Sequence, residues 1–313
     1  MWKRVFCAGV VLGTVWSGAP AASAATTPTY NVWHWNIAGN TLHRGSTTDG
    51  LVDAAVSSIR NRNADFVSVN EMCFTQYKAF QAALVSAGWP QDTGNFSRFA
   101  ETRAADSGLC GGSGAYGNAI FSKRPLATSK QYTLPSDGRA ENRKMLCAPL
   151  EAEPLMKFCA VHITTSNETT DGVRNNERQI NHVLATLDGF DAAGQTYIIA
   201  GDFNAQPHYG RLNGFYAPSA NTVNNPSNTG SHRELDDADP DHCPGYGEWT
   251  AVGTPSVTPP CGGSAKIDQI FVRESRIVGS YSADSLGIST SCTGVSACSD
   301  HRILIGTVRV TVG

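Results

Sequence analysis

The stretch Tyr197-Ile198-Ile199-Ala200-Gly201-Asp202-Phe203-Asn204 reads as a buried β-strand that ends in polar side chains. In extended backbone, alternate side chains share a side, so Asp202 and Asn204 are expected to project together while Phe203 points away. A carboxylate and an amide would then stand side by side at a strand end. The same residues also fit a strand closed by an Asx-turn, in which the aspartate serves only the local backbone.

Five further segments end or begin an apolar run with a polar group of similar chemistry. Asn36 follows Tyr30–Trp35, Glu71 follows Phe66–Asn70, and His162 follows Phe158–Val161. Asp268 sits early in the apolar run Ile267–Val272, where a carboxylate needs a partner; a histidine would fix the pair's tautomer and raise its basicity. Asp300-His301 precedes the apolar Ile303–Ile305. Singly, each fits an ordinary strand end, and His162 fits a satisfied core histidine.

Strand-like runs recur along the chain at Tyr30–Asn36, Asp65–Glu71, Asn95–Glu101, Asn118–Ser122, Lys130–Leu134 and Lys144–Glu151. They continue at Leu155–Ile163, Thr196–Asp202, Ile267–Val272, Ile277–Ala283 and His301–Val310. Helical spacing is clearest over Asp171–Leu187, where Val173, Ile180, Val183, Leu184 and Leu187 share a face. Leu51, Ala55 and Ile59 form a second stripe, and Tyr77, Phe80 and Leu84 a third. Strands joined by short turns with interleaved helices predict mixed sheets with helices packed outside, in one domain. Ala217–Ser264, rich in Asn, Pro, Ser, Gly and Asp, reads as long surface loops. Its acidic run Glu234–Asp241 reads as solvated, and does not match an EF-hand calcium loop. Arg174 and Arg178 read as a solvated helix face with Glu177, and Trp33 and Trp35 as core.

Lys3 and Arg4, the apolar Val5–Val15 and the small residues Ala22-Ser23-Ala24 have the pattern of a cleaved signal peptide over 1–24, leaving a mature domain of 25–313. Of 9 cysteines, Cys7 lies in that leader. An even remainder in an exported chain suggests disulfides. Cys147–Cys159 would join a strand-turn-strand and Cys292–Cys298 would close a short loop, which leaves Cys73–Cys110 and Cys243–Cys261 by elimination. Paired C-x-x-C units are missing, which disfavours zinc. A net charge of −3 gives no basic excess of the kind that advertises a nucleic-acid binder, without excluding one.

Taken in order, the motifs WNIAG (35–39), VNEM (69–72), YGNAIFS (116–122), VHITT (161–165), GDFNA (201–205), IDQIF (267–271) and SDHR (299–302) resemble the endonuclease/exonuclease/phosphatase superfamily. The resemblance spans almost the whole mature chain. It implies an α/β fold, a four-layered sandwich of two packed mixed β-sheets flanked by helices. It implies Glu71 as principal magnesium ligand, with Asn36 and Asp300 completing the metal shell; manganese or calcium could substitute. Asp202 would orient or deprotonate the attacking water and Asn204 would hold a phosphate oxygen. His301, oriented by Asp268, would contact the scissile phosphate or act as acid/base. His162 matches the histidine of the deoxyribonuclease I branch. That branch pairs it with a glutamate, for which Tyr116–Ala119 offers no equivalent, so Asn118 is assigned to substrate contact instead. Asn70 stands where the family often has Gln. The chemistry is coherent in its own right, because clustered carboxylates repel and a hard divalent cation with oxygen ligands relieves that conflict.

The expected activity is a secreted, magnesium-dependent phosphodiesterase, best matched by a deoxyribonuclease I-like nuclease acting on DNA or RNA as a monomer. The alternatives are a phospholipid phosphodiesterase (sphingomyelinase-like) or phosphoinositide phosphatase with the same site, and a non-catalytic binding module. The last is disfavoured because every named site residue is kept. No segment after the leader has the length to insert stably in a membrane.

Overall fold

The computed structural model describes residues 1–2, 25–112, 114–239, 243–252, 264–288 and 291–313. The expected leader, from residue 3 on, and Cys261 with its pairing to Cys243 lie outside the described residues.

The first half of the chain runs β1 (Thr29–Asn36), α1 (Leu51–Asn61), β2 (Phe66–Cys73), α2 (Phe74–Ser86), β3 (Ser97–Arg103), β4 (Tyr116–Ser122), β5 (Lys130–Thr133), β6 (Lys144–Pro149) and β7 (Met156–His162). The second half adds β8 (Thr169–Thr170), β9 (Val173–Arg174), α3 (Asn175–Ala192), β10 (Thr196–Asp202), β11 (His232–Glu234), β12 (Asp268–Arg273), β13 (Ser282–Leu286) and β14 (Ile303–Arg309). Two six-stranded mixed sheets result, ordered β13-β14-β1-β2-β4-β3 and β11-β12-β10-β7-β6-β5.

Period-two alternation explains how they pack. Tyr30, Val32 and Phe66 of the first sheet meet Phe158, Ala160, Ile198, Ala200, Ile270 and Val272 of the second in one buried core between the sheets. The intervening residues face outward. Trp33, Trp35, Val67 and Val69 pack with α1 and α2, while Ile199, Val161 and Phe271 pack with α3. The outcome is the expected sandwich, with helices outside both sheets. No helix among the described residues is long and apolar enough to cross a membrane.

Three disulfides match the expected pairs: Cys73–Cys110, Cys147–Cys159 and Cys292–Cys298.

Other expectations shift. The helix expected from Asp171 begins at Asn175, because Asp171 (φ 53°) and Gly172 (φ 80°) form the turn between β8 and β9. The strand expected over Ile277–Ala283 is displaced to Ser282–Leu286: Gly279, at φ 76°, breaks the extended run and leaves Ile277 with one isolated bridge to Val310. The largest correction is in Ala217–Ser264. Glu234, Asp236 and Asp237 are buried rather than solvated, and β11 adds a strand to the second sheet. The reason is Lys266, itself fully buried, whose ammonium lies 3.3 Å from Glu234 and 3.0 Å from Asp236. A buried cation needs buried anions, so the acidic run folds inward.

Candidate active site

The site follows from strand direction. β1 and β2 are parallel, as are β7 and β10, whereas β14, β12, β4 and β6 run antiparallel to their neighbours. The C-terminal ends of the first four strands therefore share one edge of the sandwich with the N-terminal ends of the other four. At that edge the alternation that filled the core with apolar groups delivers polar ones instead. Asp202 pairs in register with His162 on one side and Asp268 on the other. Gly201 permits this close packing, since a Cβ there would stand 2.0 Å from the Val161 carbonyl oxygen.

Asp202 Oδ2 is the centre of the constellation. Asn36 Nδ2 donates to it at 3.2 Å, His162 Nε2 lies at 3.5 Å and His301 Nε2 at 3.8 Å. Asn36 Nδ2 also donates to Glu71 Oε1 at 3.2 Å, and that oxygen is 4.0 Å from His162 Nε2. Asp202 Oδ1 accepts the Asn204 backbone N–H at 2.8 Å. The strand thus closes in an Asx-turn with Asn204 at φ 47°, and its side chain does not run parallel to that of Asp202. Instead, Asn204 Nδ2 donates to the Ile163 carbonyl at 2.9 Å. Asn204 still borders the site through this turn.

Asp268 is fully buried and binds two histidines: Oδ2 takes His301 Nδ1 at 2.7 Å and Oδ1 takes His34 Nε2 at 2.9 Å. Burial alone would lift the Asp268 carboxyl, but the charges and hydrogen bonds of His301 and His34 hold it well below the usual range. Burial would depress His301, yet Asp268, with smaller help from Asp202 and Asp300, carries it up to about 10. Asp202 is pushed up to about 7, by burial first and then by the Asp268 charge, against the opposing pull of His301. His162 is held well below its ordinary value by burial, then by Arg143 and His301. One histidine therefore favours a proton and the other favours neutrality, a difference that acid/base chemistry can use.

Glu71 lies in a β-bulge between Val69 and Met72 and has φ 58°. The bulge re-aims its side chain, which is 23% exposed, toward the site mouth. Strained backbone of this kind concentrates at functional positions. Asp300 is exposed beside His301, and its carboxylate makes no hydrogen bond or ion pair among the described residues. Glu71 and Asp300 are thus oxygen donors open to solvent, which fits a hard divalent cation. Asn36 fits less directly: its oxygen accepts the Ala38 N–H at 3.1 Å and its NH2 faces the carboxylates, so ligation requires the amide to turn over. Asp202, Asp268 and His301 also bring ligand atoms within 4.8 Å of one another, but both Asp268 oxygens are already engaged by histidines.

Asn118, expected to contact substrate, is buried and bonded within the protein. Its Oδ1 accepts from Asn70 Nδ2 at 3.0 Å, and Asn70 Oδ1 accepts the Asp202 backbone N–H at 2.9 Å. This chain of amides fixes the height of Asp202.

Three contributors were not identified from sequence. His34 shares Asp268 and also meets Ser68 Oγ at 3.1 Å; its place in the inward-facing row of β1 was the available signal. Asn70, which in sequence is only a departure from Gln, links Asn118 to Asp202. Arg143, the residue before β6, is nine-tenths buried, and its Nε and Nη1 have no partner among the described residues. Nη2 lies 3.0 Å from Glu141 Oε2, and the guanidinium charge reaches His162. Under-satisfied buried donors beside the constellation are suited to an anionic substrate. Nothing in the local sequence around Arg143 points to His162; the fold brings its charge there.

No curated protein sequence matches the chain. Solved structures share its fold at low identity. The human Nocturnin catalytic domain with bound sulfate anion is 18% identical, with a TM-score of 0.63 over 92% of this chain and 96% of that one. Truncated Caenorhabditis elegans TDP2 is 14% identical, with a TM-score of 0.57 over 90% and 97%. D. rerio TDP2 complexed with single strand DNA product is 15% identical, with a TM-score of 0.57 over 90% and 98%. The model of the Endonuclease/Exonuclease/phosphatase family matches residues 33–301, from β1 to the site histidine. Its members are hydrolases, including nucleases, phosphodiesterases and phosphatases, and generally depend on a divalent metal. With that match covering most of its length, the chain belongs to the endonuclease/exonuclease/phosphatase family.

Proposed function

We propose that this chain is an exported, magnesium-dependent phosphodiesterase that cleaves nucleic acid, a deoxyribonuclease I-like nuclease. The observation that carries the reading is the position of the Asp202 carboxylate, within 3.8 Å of Asn36, His162 and His301. Glu71 stands beside them.

In this reading Asp202 orients the attacking water and accepts its proton. Burial, and then the Asp268 charge, give it an affinity for that proton near neutrality, as a general base requires. His301, kept protonated by Asp268, donates to a phosphoryl oxygen or to the leaving oxygen. His162, neutral and buried, offers Nε2 to the substrate side, while its Nδ1 lacks a partner among the described residues. Arg143 faces the negative charge that builds on the phosphoryl group, and the Asn204 turn supports the same anion. Glu71 and Asp300, with Asn36 after rotation of its amide, would hold the cation. A bound divalent cation supplies charge neutralisation at the phosphoryl oxygens and eases the mutual repulsion of the carboxylates.

Export is supported by the leader pattern over 1–24 and by the three disulfides. A monomer is the simplest assembly for a site built within one chain. A nucleic-acid substrate is supported by the DNA product held by D. rerio TDP2, similar in fold.

The test is a substrate panel of plasmid DNA, RNA, sphingomyelin and a phosphoinositide, with magnesium or with EDTA. Wild-type protein should cut DNA or RNA only with metal, and Asp202→Asn and His301→Ala should abolish cutting. Release of phosphocholine with both nucleic acids left intact would replace the nuclease reading with the lipid one. Inactivity on all four, with no magnesium binding by calorimetry, would leave a binding module.

A further inference from the structure

A basic cleft lies next to Asn204, outside the constellation around Asp202. It has a volume of about 600 Å³ and is lined by Asn167, Arg174, His208, Tyr209, Gly210 and Arg211. Arg211 is its centre. The guanidinium lies over the Tyr209 ring at 4.5 Å from the centroid. Nη2 donates to the Asn204 carbonyl at 3.5 Å and Nη1 to Asn167 Oδ1 at 3.4 Å. Both bonds are at the long limit, and Nε is out of water with no partner among the described residues. His208 Nδ1 is likewise buried and unpartnered. Arg174, the residue before α3, is exposed and makes no side-chain hydrogen bond or ion pair among the described residues.

The charges of this cleft are not balanced internally. Burial and the Arg174 charge both work against the Arg211 cation, and Glu177 and Tyr209 oppose them only in part. Two guanidinium groups facing a cleft with unused donors call for an anion, and phosphate matches their planar fork. The cleft shares the Asn204 backbone with the cleavage site, so its anion would belong to the same substrate.

We infer that the cleft around Arg211 and Arg174 binds a second phosphate, that of the nucleotide adjoining the cleaved bond, and so selects polynucleotides over single phosphodiesters. This rests on the nuclease reading and narrows it. A choline headgroup, being cationic, is disfavoured there by charge alone.

Binding and cleavage test this separately. In EDTA, fluorescence anisotropy with a single-stranded phosphorothioate oligonucleotide should show Arg174→Gln weakening affinity about threefold or more and Arg174→Gln/Arg211→Gln about tenfold or more. The double variant should lower the salt-dependence slope by about 0.7, the contribution of one phosphate contact on a single strand. With magnesium, the double variant should raise KM for the oligonucleotide at least about tenfold more than for bis(p-nitrophenyl) phosphate, which has one phosphate. Arg174→Gln touches no internal bond, so it separates binding from misfolding. Unchanged oligonucleotide affinity and slope in both variants would overturn the inference, whatever the hydrolytic activity. So would equal KM changes on the two substrates, or a loss seen only with a phosphoinositide. A nuclease reading that failed alone would show as oligonucleotide binding that depends on these arginines without cleavage by the wild-type protein.

Discussion

His34 in the first sheet and Asp268 in the second are joined across the sandwich, with 2.9 Å between His34 Nε2 and Asp268 Oδ1, although 234 residues separate them. The other oxygen of the same carboxylate binds His301, so this contact ties the stability of the sandwich to the orientation of the site histidine. His34→Asn should lower stability by about 1–3 kcal/mol, as expected when a buried charged acceptor loses a partner. It should also lower kcat roughly 10- to 100-fold, the usual scale for loss of an orienting partner. Urea unfolding and steady-state kinetics measure the two effects. An unchanged kcat would remove His34 from the positioning of His301.

Glu71 is partly open to solvent, while Asp202 and Asp268 are buried. Glu71→Gln should weaken magnesium binding by calorimetry and reduce cleavage about a hundredfold or more, while leaving the melting temperature nearly unchanged. EDTA should silence the wild-type protein and excess magnesium restore it. Full activity of the variant at low magnesium would place the cation elsewhere.

His301 and His162 should fail differently. His301→Ala removes the group that Asp268 keeps charged, and a loss of about 100-fold or more in kcat is expected. His162→Asn keeps a polar group of similar reach where the native ring is neutral, so its loss should be at least tenfold smaller. Equal losses in single-turnover assays would contradict the division of roles drawn from their opposite shifts.

Lys266→Met would strand Glu234 and Asp236 in the interior. Burial pushes Glu234 up to about 7 even with Lys266 beside it, so without the cation these acids become a strong liability. The expected destabilisation is about 3–5 kcal/mol, and Lys266→Met/Glu234→Gln/Asp236→Asn should recover part of it. Chemical denaturation checks both, and a triple variant less stable than the single one would refute the charge argument.

His232 is buried between the Tyr197 hydroxyl at 2.7 Å and the Phe215 carbonyl at 3.2 Å. Burial takes its pKa down from 6.5 to about 4, so folding favours the neutral ring. Above pH 6.5 both states are neutral and the folded protein has its full stability. As pH falls through the window down to about 4, the unfolded chain takes up the proton first, and stability drops by up to about 3 kcal/mol. His232→Gln should flatten this dependence relative to wild type in urea unfolding at pH 7 and 4.5, a comparison that cancels other titrating groups. Parallel pH profiles would show that His232 does not carry it.

The sequence by itself determined most of the strands, though not β11 or the bounds of β13, together with the inward row of polar strand ends and three disulfide pairs. Alternation states which side of a strand a residue occupies, and a change from apolar to polar marks where the strand reaches an edge. Asp202, Asp268 and His301 were legible for that reason. Tertiary structure alone decided what faces each of them. His34 meets Asp268, Arg143 stands near His162, and Lys266 draws the Glu234–Asp237 segment inward; each depends on sheet register and sheet-on-sheet packing. Those relations are set by the fit of side chains from distant parts of the chain, on which local periodicity is silent.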